Sequence, residues 1–339
     1  DEPEEEDRHQ GAGLHRYNRE GSEVFPRVDL YEELSTLLNQ IPPGKVSTCT
    51  MLAEALGDPL SARAIPEMLR ELSGLDVPTH RVVHADGSMI LPGAENKLAA
   101  EGVSILEGRV EDVERRLFRE FKSRRVLALL RNIQAEIASK VVLKDTFSRP
   151  IRHVAGVDVS YRGRTAYGAC VLWSVEDSSV VECSTSVVEV SFPYIPTYLS
   201  FREGPAMVEA VKSLAGGFDV LLVNGHGIAH PRRCGIASHI GVLLDVPSIG
   251  VARGLLPGFR ESEDAEAVWR PVKYGGSVVG FSLKPGGVSK PVYVSPGHRV
   301  SLKTSVEIVL RCLRGHRLPE PLRLAHGLAS RLRKALDRL

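Results

Sequence analysis

Two apolar runs that lie close together in the sequence constrain the fold of this chain more than any other feature. Residues 220–223 and 247–251 have the continuous apolar character of strands that are buried on both faces. Between them, residues 235–244 have the small and apolar spacing of a short helix. A strand-helix-strand unit of this kind requires two parallel strands joined by a right-handed crossover. The sequence therefore predicts an α/β sheet.

Polar residues follow the first of these strands, where open α/β sheets place their ligands. The strand leads into the turn Asn-Gly-His-Gly (224–227) and then into a basic corner, His-Pro-Arg-Arg (230–233). A turn needs glycines, and histidines can simply line a loop. Two histidines and two arginines within eight residues exceed that need, and they predict a binding or catalytic site.

Length and composition predict a globular chain of two domains. The chain has 339 residues, of which 43% are hydrophobic and 25% are charged. No apolar run approaches the ~20 residues of a membrane helix, so no membrane partner is expected. The five cysteines are an odd number without metal-binding spacing. They argue against a disulfide framework and predict a reducing, cytoplasmic location.

Charge is distributed unevenly along a chain whose net charge is only +1. Six of the first seven residues are acidic, and residues 1–22 are predicted to be a disordered acidic tail and not a signal peptide. Residues 115–131 hold seven basic side chains and one acidic side chain. Over residues 111–142 apolar residues recur with the period of an α-helix, which predicts a long linker or packing helix within 108–145. Its basic face is either solvated or in contact with DNA phosphates.

Short helices are predicted at residues 24–38, 51–56 and 62–72, and the last two fit a small helix-turn-helix, winged-helix-like domain. Many helical pairs of this size bind nothing. Here, however, the segment IPPGKVSTCTMLAEALGDPLSARAIPEMLREL and the later VPTHRVVHADGS resemble the DNA-binding domain of alkylguanine-DNA alkyltransferases. The resemblance covers about residues 28–105 and predicts a domain over residues 23–107.

The motif that carries the reactive cysteine of that family is altered in this chain. The family has Pro-Cys-His-Arg, whereas residues 78–81 are Pro-Thr-His-Arg. Alkyl transfer needs a thiolate activated by the histidine and by a glutamate that matches Glu101. Because these groups do not usefully deprotonate a hydroxyl, we expect no alkyl transfer.

Because it lacks the reactive cysteine, this segment resembles the alkyltransferase-like proteins, the cysteine-free branch of that family. The resemblance implies that Arg63 fills the space of a flipped nucleotide. It also implies that a pocket beside Thr79, His80 and Arg81 holds an extruded base, such as an alkylated guanine. The alternative is a degenerate helical domain that serves packing or dimerisation.

Strands predominate after residue 150. Residues 151–161, 165–173 and 180–192 are predicted strands suited to antiparallel pairing, and a helix over 206–214 precedes the strand-helix-strand unit. This order is typical of a ribonuclease H-like fold, a mixed sheet with flanking helices, here predicted over residues 146–339. Asp158 lies within the first strand, where a carboxylate is costly to bury unless it is paired or binds a metal.

Five motifs in this region resemble endonuclease V when they are taken in order. They are GVDVSY, PYIPTYLSFREGP, GHGIAHPRRCGIASHIG, PSIGVAR and VSPGHRVSL. That family nicks DNA, and in some members RNA, on the 3′ side of deaminated purines, chiefly inosine. It uses Mg²⁺ or Mn²⁺. The resemblance therefore implies a DNA repair nuclease whose cofactor is Mg²⁺ and whose partner is damaged DNA.

The resemblance also implies roles for individual residues. Asp158 and Glu203 would bind the metal, His230 would lie beside the metal and the scissile phosphate, and His298 would be a further polar group of the active site. The remaining implied contacts are to DNA: the wedge that fills the duplex, Pro193, Tyr194, Ile195 and Pro196, and the inosine pocket, Gly225, His226 and Gly227.

Two positions depart from the endonuclease V pattern. Asn224 stands where the family has a metal-binding aspartate, and Arg253 stands where a lysine is common. An asparagine oxygen can contact a hard cation but adds no charge, so metal affinity and water activation are expected to fall. Two functions stay open: a nuclease of weakened activity with an appended lesion reader, or a catalytically silent sensor of damaged DNA.

Overall fold

A computed structural model describes residues 25–26, 28–262 and 269–336 of the chain. A mainly helical N-terminal part is followed by a C-terminal part built on a nine-stranded mixed sheet. This architecture confirms the predicted fold class. The predicted acidic tail, residues 1–22, lies outside the described residues. None of the helices in the described ranges combines the length and the apolar character that crossing a lipid bilayer requires.

The N-terminal part consists of short helices and very short strands. In chain order its elements are α1 (Leu30–Leu38), β1 (Ser47–Thr48), α2 (Cys49–Leu56), a 3₁₀ helix (Pro59–Arg63), α3 (Ile65–Leu72), a 3₁₀ turn (Thr79–Arg81), β2 (Val82–Val83), α4 (Ala94–Ala100), β3 (Ile105–Leu106) and β4 (Arg109–Val110). Strands β1 and β2 pair in parallel, and β3 and β4 form a small hairpin.

Capping residues determine where these helices begin and end. The α1 helix begins at Leu30, later than predicted, because the Asp29 carboxylate accepts hydrogen bonds from the first N–H groups of the helix. The α2 helix ends as predicted at Gly57, whose φ of 102° lies in the left-handed region that glycine adopts readily. The helix predicted over 62–72 is divided, since the 3₁₀ helix capped by Asp58 precedes α3.

The long helix predicted over residues 111–142 is broken, which corrects that prediction. Only α5 (Val113–Arg116) and α6 (Val126–Ser139) are helical. Between them, Leu117 forms a parallel bridge with Val46, and the N–H of Phe118 donates to the Val46 carbonyl at 2.7 Å. Pairing with the N-terminal part therefore replaces the helical hydrogen bonds that the apolar period had suggested.

The C-terminal part is organised by one large sheet. Its elements are β5 (His153–Arg162), β6 (Thr165–Ser174), β7 (Ser179–Glu189), α7 (Leu199–Lys212), β8 (Val220–Asn224), α8 (Ile236–Leu244), β9 (Ser248–Ala252), β10 (Arg260–Glu261), β11 (Trp269–Tyr274), β12 (Ser277–Leu283), β13 (Val292–His298), α9 (Leu302–Arg311) and α10 (Glu320–Leu336). The strand order in the sheet is β10-β11-β12-β13-β9-β8-β5-β6-β7. Strands β5, β8 and β9 are mutually parallel, whereas β6, β7 and β13 run antiparallel to their neighbours. The predicted antiparallel strands and the strand-helix-strand crossover are confirmed.

Helices cover both faces of this sheet. The α9 and α10 helices pack on one face, and α7 and α8 pack on the other, where the apolar core continues into the N-terminal part. The approach of α10 depends on Gly156 in β5, because a Cβ atom at this position would lie 2.4 Å from the carbonyl carbon of Pro321. The glycine thus allows α10 to lie directly against the strand that carries Asp158.

Candidate active site

A cleft of 340 Å³ lies at the carboxyl ends of the parallel strands. Asn224 is the last residue of β8, and Asp158 follows the last residue of β5 that pairs with β8. Both line the cleft together with Glu203 and His230. The crossover predicted from the sequence therefore places its polar residues where an open α/β sheet binds ligands.

The Asp158 carboxylate is buried, with an exposure of 3%, and is held by three donors. The side-chain amide of Asn224 donates to Oδ1 at 2.8 Å, and the N–H of Val159 donates to the same oxygen at 2.8 Å. His326, from α10, lies with its Nδ1 atom 2.7 Å from Oδ2. These contacts offset the cost of burying the charge.

Glu203 enters the cleft from a helix. The sequence predicted that residues 200–205 lead into a helix over 206–214, but α7 already begins at Leu199 and contains Pro205. Burial, and then the nearby Asp158 carboxylate, raise the pKa of Glu203 to about 8. Two carboxyl groups are therefore held in a repulsive arrangement that a bound cation would relieve.

The donor set of the cleft fits a divalent cation. The carboxylates of Asp158 and Glu203 and the amide oxygen of Asn224 are the hard oxygen ligands that Mg²⁺ and Mn²⁺ prefer. Within the part of the chain that the structure describes, no group of three or more His, Cys, Asp or Glu side chains is arranged to hold a metal ion. Asn224 leaves this set with one carboxylate fewer than an aspartate would provide.

His230 is buried in the wall of the cleft, and the structure defines its tautomer. Its Nδ1 atom accepts a hydrogen bond from the N–H of Arg232 at 3.2 Å, so its Nε2–H donates to the Thr197 carbonyl at 3.1 Å. Burial, and then the Arg232 charge, lower the pKa of His230 to about 3. The imidazole is therefore neutral and fixed in orientation.

The predicted wedge is divided between an exposed tip and buried anchors. Tyr194 is 62% exposed, whereas Ile195 is 1% exposed and Pro193 is buried. Pro196 is half-buried. Successive side chains of an extended segment point in opposite directions. Of the four predicted wedge residues, only Tyr194 is largely exposed to solvent, and Pro193 and Ile195 anchor the loop in the core.

His298 lies outside the cleft, which corrects its predicted place in the active site. Strand β13 runs antiparallel to β9, so its last residue, His298, pairs with Ser248 at the start of β9. There the imidazole contacts Asp245 at 3.3 Å and accepts from the N–H of Val142 at 3.2 Å. His298 thus lies where the parallel strands begin, and Asn224 lies where they end.

Sequence reasoning missed His326, which lines the cleft beside Asp158. The two residues are 168 positions apart, and no motif around His326 had indicated a site. A single histidine on a helix whose other residues are mostly apolar or basic is the only local sign.

The glycine-rich turn is used mainly for packing. A Cβ atom at Gly227 would lie 2.1 Å from the Pro296 carbonyl oxygen. The N–H of Gly227 donates to the Ser295 hydroxyl at 2.8 Å, and its carbonyl accepts from Gly235 at 3.0 Å. After Asn224, only Gly225 and His226 of this turn line the cleft, together with the exposed Arg253. Gly227 therefore has no free backbone group for a base.

A second cavity, of 270 Å³, lies in the N-terminal part beside Thr79 and His80. Arg81 does not line it and instead forms an ion pair with Glu101 at 2.8 Å. Arg63 is exposed at the end of the 3₁₀ helix and is not part of this cavity. Although burial raises the pKa of Glu101, hydrogen bonds from Arg81, His80 and the backbone of Gly44 outweigh it and lower the pKa to about 2.

Comparison with known proteins accounts for this arrangement. Residues 135–327, which include Asp158, Glu203 and Asn224 of the cleft, match the family model described as Endonuclease V. The chain belongs to the endonuclease V family. Members of this family are metal-dependent DNA nucleases. Residues 29–103 match the model of the 6-O-methylguanine DNA methyltransferase DNA-binding domain, so the N-terminal part is an alkyltransferase-like DNA-binding domain.

Individual relatives agree with this family assignment. An endonuclease V of Roseiflexus is 46% identical over 60% of this chain and 92% of its own length. The crystal structure of endonuclease V from Streptomyces avermitilis has a TM-score of 0.57, with 36% identity over 61% of this chain and 92% of that chain. An endonuclease V from Ciona intestinalis, solved with a 24mer DNA containing an inosine followed by a ribo-adenosine, also has a TM-score of 0.57. It is 28% identical over 62% of this chain and 98% of that chain.

Proposed function

We propose that this protein is a DNA repair endonuclease that nicks the strand on the 3′ side of deoxyinosine with Mg²⁺, for which Mn²⁺ can substitute. The observation that carries the proposal is the pairing of buried Asp158 with Glu203 in a cleft whose rim presents Tyr194. The relative from Ciona intestinalis binds DNA that contains an inosine.

Each side chain has a defined task in this proposal. Asp158, Glu203 and Asn224 would hold the cation, which activates water and neutralises charge on the phosphate when it is bound. Tyr194 would stack in the duplex in place of the displaced base. His230 is neutral and donates its Nε2–H to the Thr197 carbonyl, at the end of the wedge loop formed by residues 193–197. It therefore supports the loop that carries Tyr194.

The N-terminal domain is proposed to read alkylated bases without transferring the alkyl group. The cavity beside Thr79 would receive the base. A threonine hydroxyl does not supply the activated thiolate that alkyl transfer requires. Binding is tested with an O⁶-alkylguanine duplex, for which we expect Thr79→Phe to lower the affinity by filling the cavity. The intact mass of the wild-type protein should not change after incubation, and a gain of one alkyl group would refute the proposal.

A second candidate function, a silent lesion sensor, is favoured by one observation. The side chain of Asn224 is an amide, and its N–H donates to Asp158 at 2.8 Å. The cleft therefore lacks a carboxylate at the position where the family has a metal-binding aspartate. The deciding experiment is nicking of a duplex with one inosine, with Mg²⁺ and then Mn²⁺, by this chain and by Asn224→Asp.

The outcomes separate the two functions. Cutting by both proteins supports the nuclease, and cutting by Asn224→Asp alone shows that asparagine blocks an otherwise complete site. If neither protein cuts and both bind the inosine duplex, the sensor is correct. Glu203→Gln in the Asn224→Asp background is the matched control and should abolish cutting. A parallel substrate with inosine in RNA tests whether RNA is also cut.

A further inference from the structure

One buried hydrogen bond joins the alkyltransferase-like domain to the segment between the wedge loop and α7. The Tyr198 hydroxyl donates to Oδ2 of Asp58 at 2.5 Å, and the two residues are 0% and 3% exposed. Burial, and then the Asp58 hydrogen bond and charge, raise the pKa of Tyr198 well above its ordinary value. The hydroxyl therefore keeps its proton and remains a donor.

Each partner lies next to a residue for which the family resemblances imply a contact with DNA. Asp58 is the N-cap of the 3₁₀ helix that ends at Arg63. Tyr198 follows the wedge loop directly and precedes α7, the helix that carries Glu203. The contact therefore links two candidate DNA-reading elements that are 140 residues apart in the sequence.

Arginines reinforce this junction from two further elements. Arg131 of α6 donates to the Gly57 carbonyl at 2.9 Å and lies 3.8 Å from the Asp58 carboxylate. The guanidinium of Arg232 lies 4.7 Å from the centre of the Tyr198 ring. It also donates to the Thr197 carbonyl at 2.7 Å, which fixes the end of the wedge loop.

The packing around the junction is that of a single body. Leu34 and Met68 of the N-terminal domain belong to the same buried apolar cluster as Met207 of α7. The N-terminal domain is therefore packed against the C-terminal part, and Tyr198 belongs to the same cluster.

The geometry limits how far Arg63 can be from Tyr194. The five-residue 3₁₀ helix spans about 10 Å at about 2.0 Å per residue. The four residues from Tyr194 to Tyr198 span at most about 14 Å, and the side chains of the hydrogen bond span about 12 Å from one Cα to the other. The Cα atoms of Arg63 and Tyr194 are thus within about 36 Å, which is about one turn of B-DNA.

We propose that the two domains grip one duplex, with Arg63 engaging it within about one helical turn of the base that Tyr194 displaces. The Asp58–Tyr198 hydrogen bond fixes this spacing. The inference rests on the proposed recognition of deoxyinosine by the cleft, which places the wedge at a known base. It makes the N-terminal domain a part of the incision machinery for every substrate, including duplexes without an alkylated base.

The test measures how affinity depends on the DNA on each side of the inosine. The full-length protein is titrated, without divalent cations so that no strand is cut, against 30-bp duplexes whose arms are shortened in turn to about 4 bp. An arm is the stretch of duplex on one side of the inosine. We expect the shortening of one of the two arms to weaken binding at least tenfold, and the shortening of the other to have a smaller effect. Arg63→Ala should make the two arms equivalent.

Variants of the junction test the role of the hydrogen bond. Tyr198→Phe should reduce the difference between the arms at least threefold. Tyr293→Phe is the matched control, because its hydroxyl also donates to a carboxylate, Glu261, at 2.8 Å but does so away from the junction, and it should leave the difference unchanged. If Tyr198→Phe does not fold, Arg131→Met serves in its place, since Arg131 is 39% exposed.

The outcomes also separate this inference from the proposed function. A protein with no preference for inosine over an unmodified duplex would overturn both. A clear preference for inosine with two equivalent arms in the wild-type protein would overturn only the grip on one duplex. An undiminished difference between the arms in the folded Tyr198→Phe variant, or in folded Arg131→Met where that variant replaces it, would show that the junction does not fix the spacing and would overturn that part.

Discussion

Replacing Asn224 by aspartate should destabilise the cation-free protein and make its stability depend on Mg²⁺. The Asn224 amide is 2.8 Å from Oδ1 of Asp158, so the substitution converts a hydrogen bond into a contact between two negative charges. At that distance and an effective dielectric constant of about 20, the repulsion is about 6 kcal/mol, and it falls to about 3 kcal/mol if the oxygens separate to about 5 Å. The relaxed value is the expected loss of unfolding free energy.

This loss is measured by thermal unfolding in EDTA and in increasing Mg²⁺. A loss of about 3 kcal/mol should lower the Tm by roughly 6–12 °C. Mg²⁺ at about 100 times its Kd should restore about 2.7 kcal/mol, and it should stabilise the parent chain less. Asn39→Asp, at an exposed helix end, is the control and should not respond to Mg²⁺. Equal Tm values of Asn224→Asp and the parent in EDTA would refute the reasoning.

Three further predictions concern single side chains. His326→Ala in the Asn224→Asp background should slow inosine nicking at least tenfold because Asp158 loses a hydrogen-bond donor. His298→Ala in the same background should leave the nicking rate within about twofold. If His298→Ala slowed nicking more than His326→Ala, the placement of the two histidines would be wrong. Tyr194→Ala should weaken binding to an inosine duplex about tenfold, since base stacking on an aromatic ring contributes about 1–3 kcal/mol; fluorescence anisotropy measures this binding. Denaturant unfolding should show a change in unfolding free energy of less than about 0.5 kcal/mol. Glu101 has a folded pKa of about 2 against 4.5 ordinarily, so its stabilisation is complete above about pH 4.5 and is lost as the pH falls toward 2. Glu101→Gln should therefore cost about 1–3 kcal/mol at neutral pH and flatten the pH profile of unfolding between those values, and an unchanged profile would count against the ion pair.

The sequence alone predicts the fold class, both families, and the order of the strands and helices from β5 to β9. These features depend on local patterns: continuous apolar runs for buried strands, a glycine at the end of a helix, and motifs whose residues are close together. The position of Asn224 at the carboxyl end of a parallel strand followed from the same patterns. Where local periodicity competed with distant pairing, as at Leu117, the prediction failed.

Which distant side chains meet can be seen only in the three-dimensional structure. The approach of His326 to Asp158 requires α10 to lie against Gly156, and the exclusion of His298 follows from the direction of β13 in the sheet. The junction between Asp58 and Tyr198 likewise arises from the packing of two domains. Such contacts depend on three-dimensional packing and strand direction, and residues more than a hundred positions apart leave no common period in the sequence.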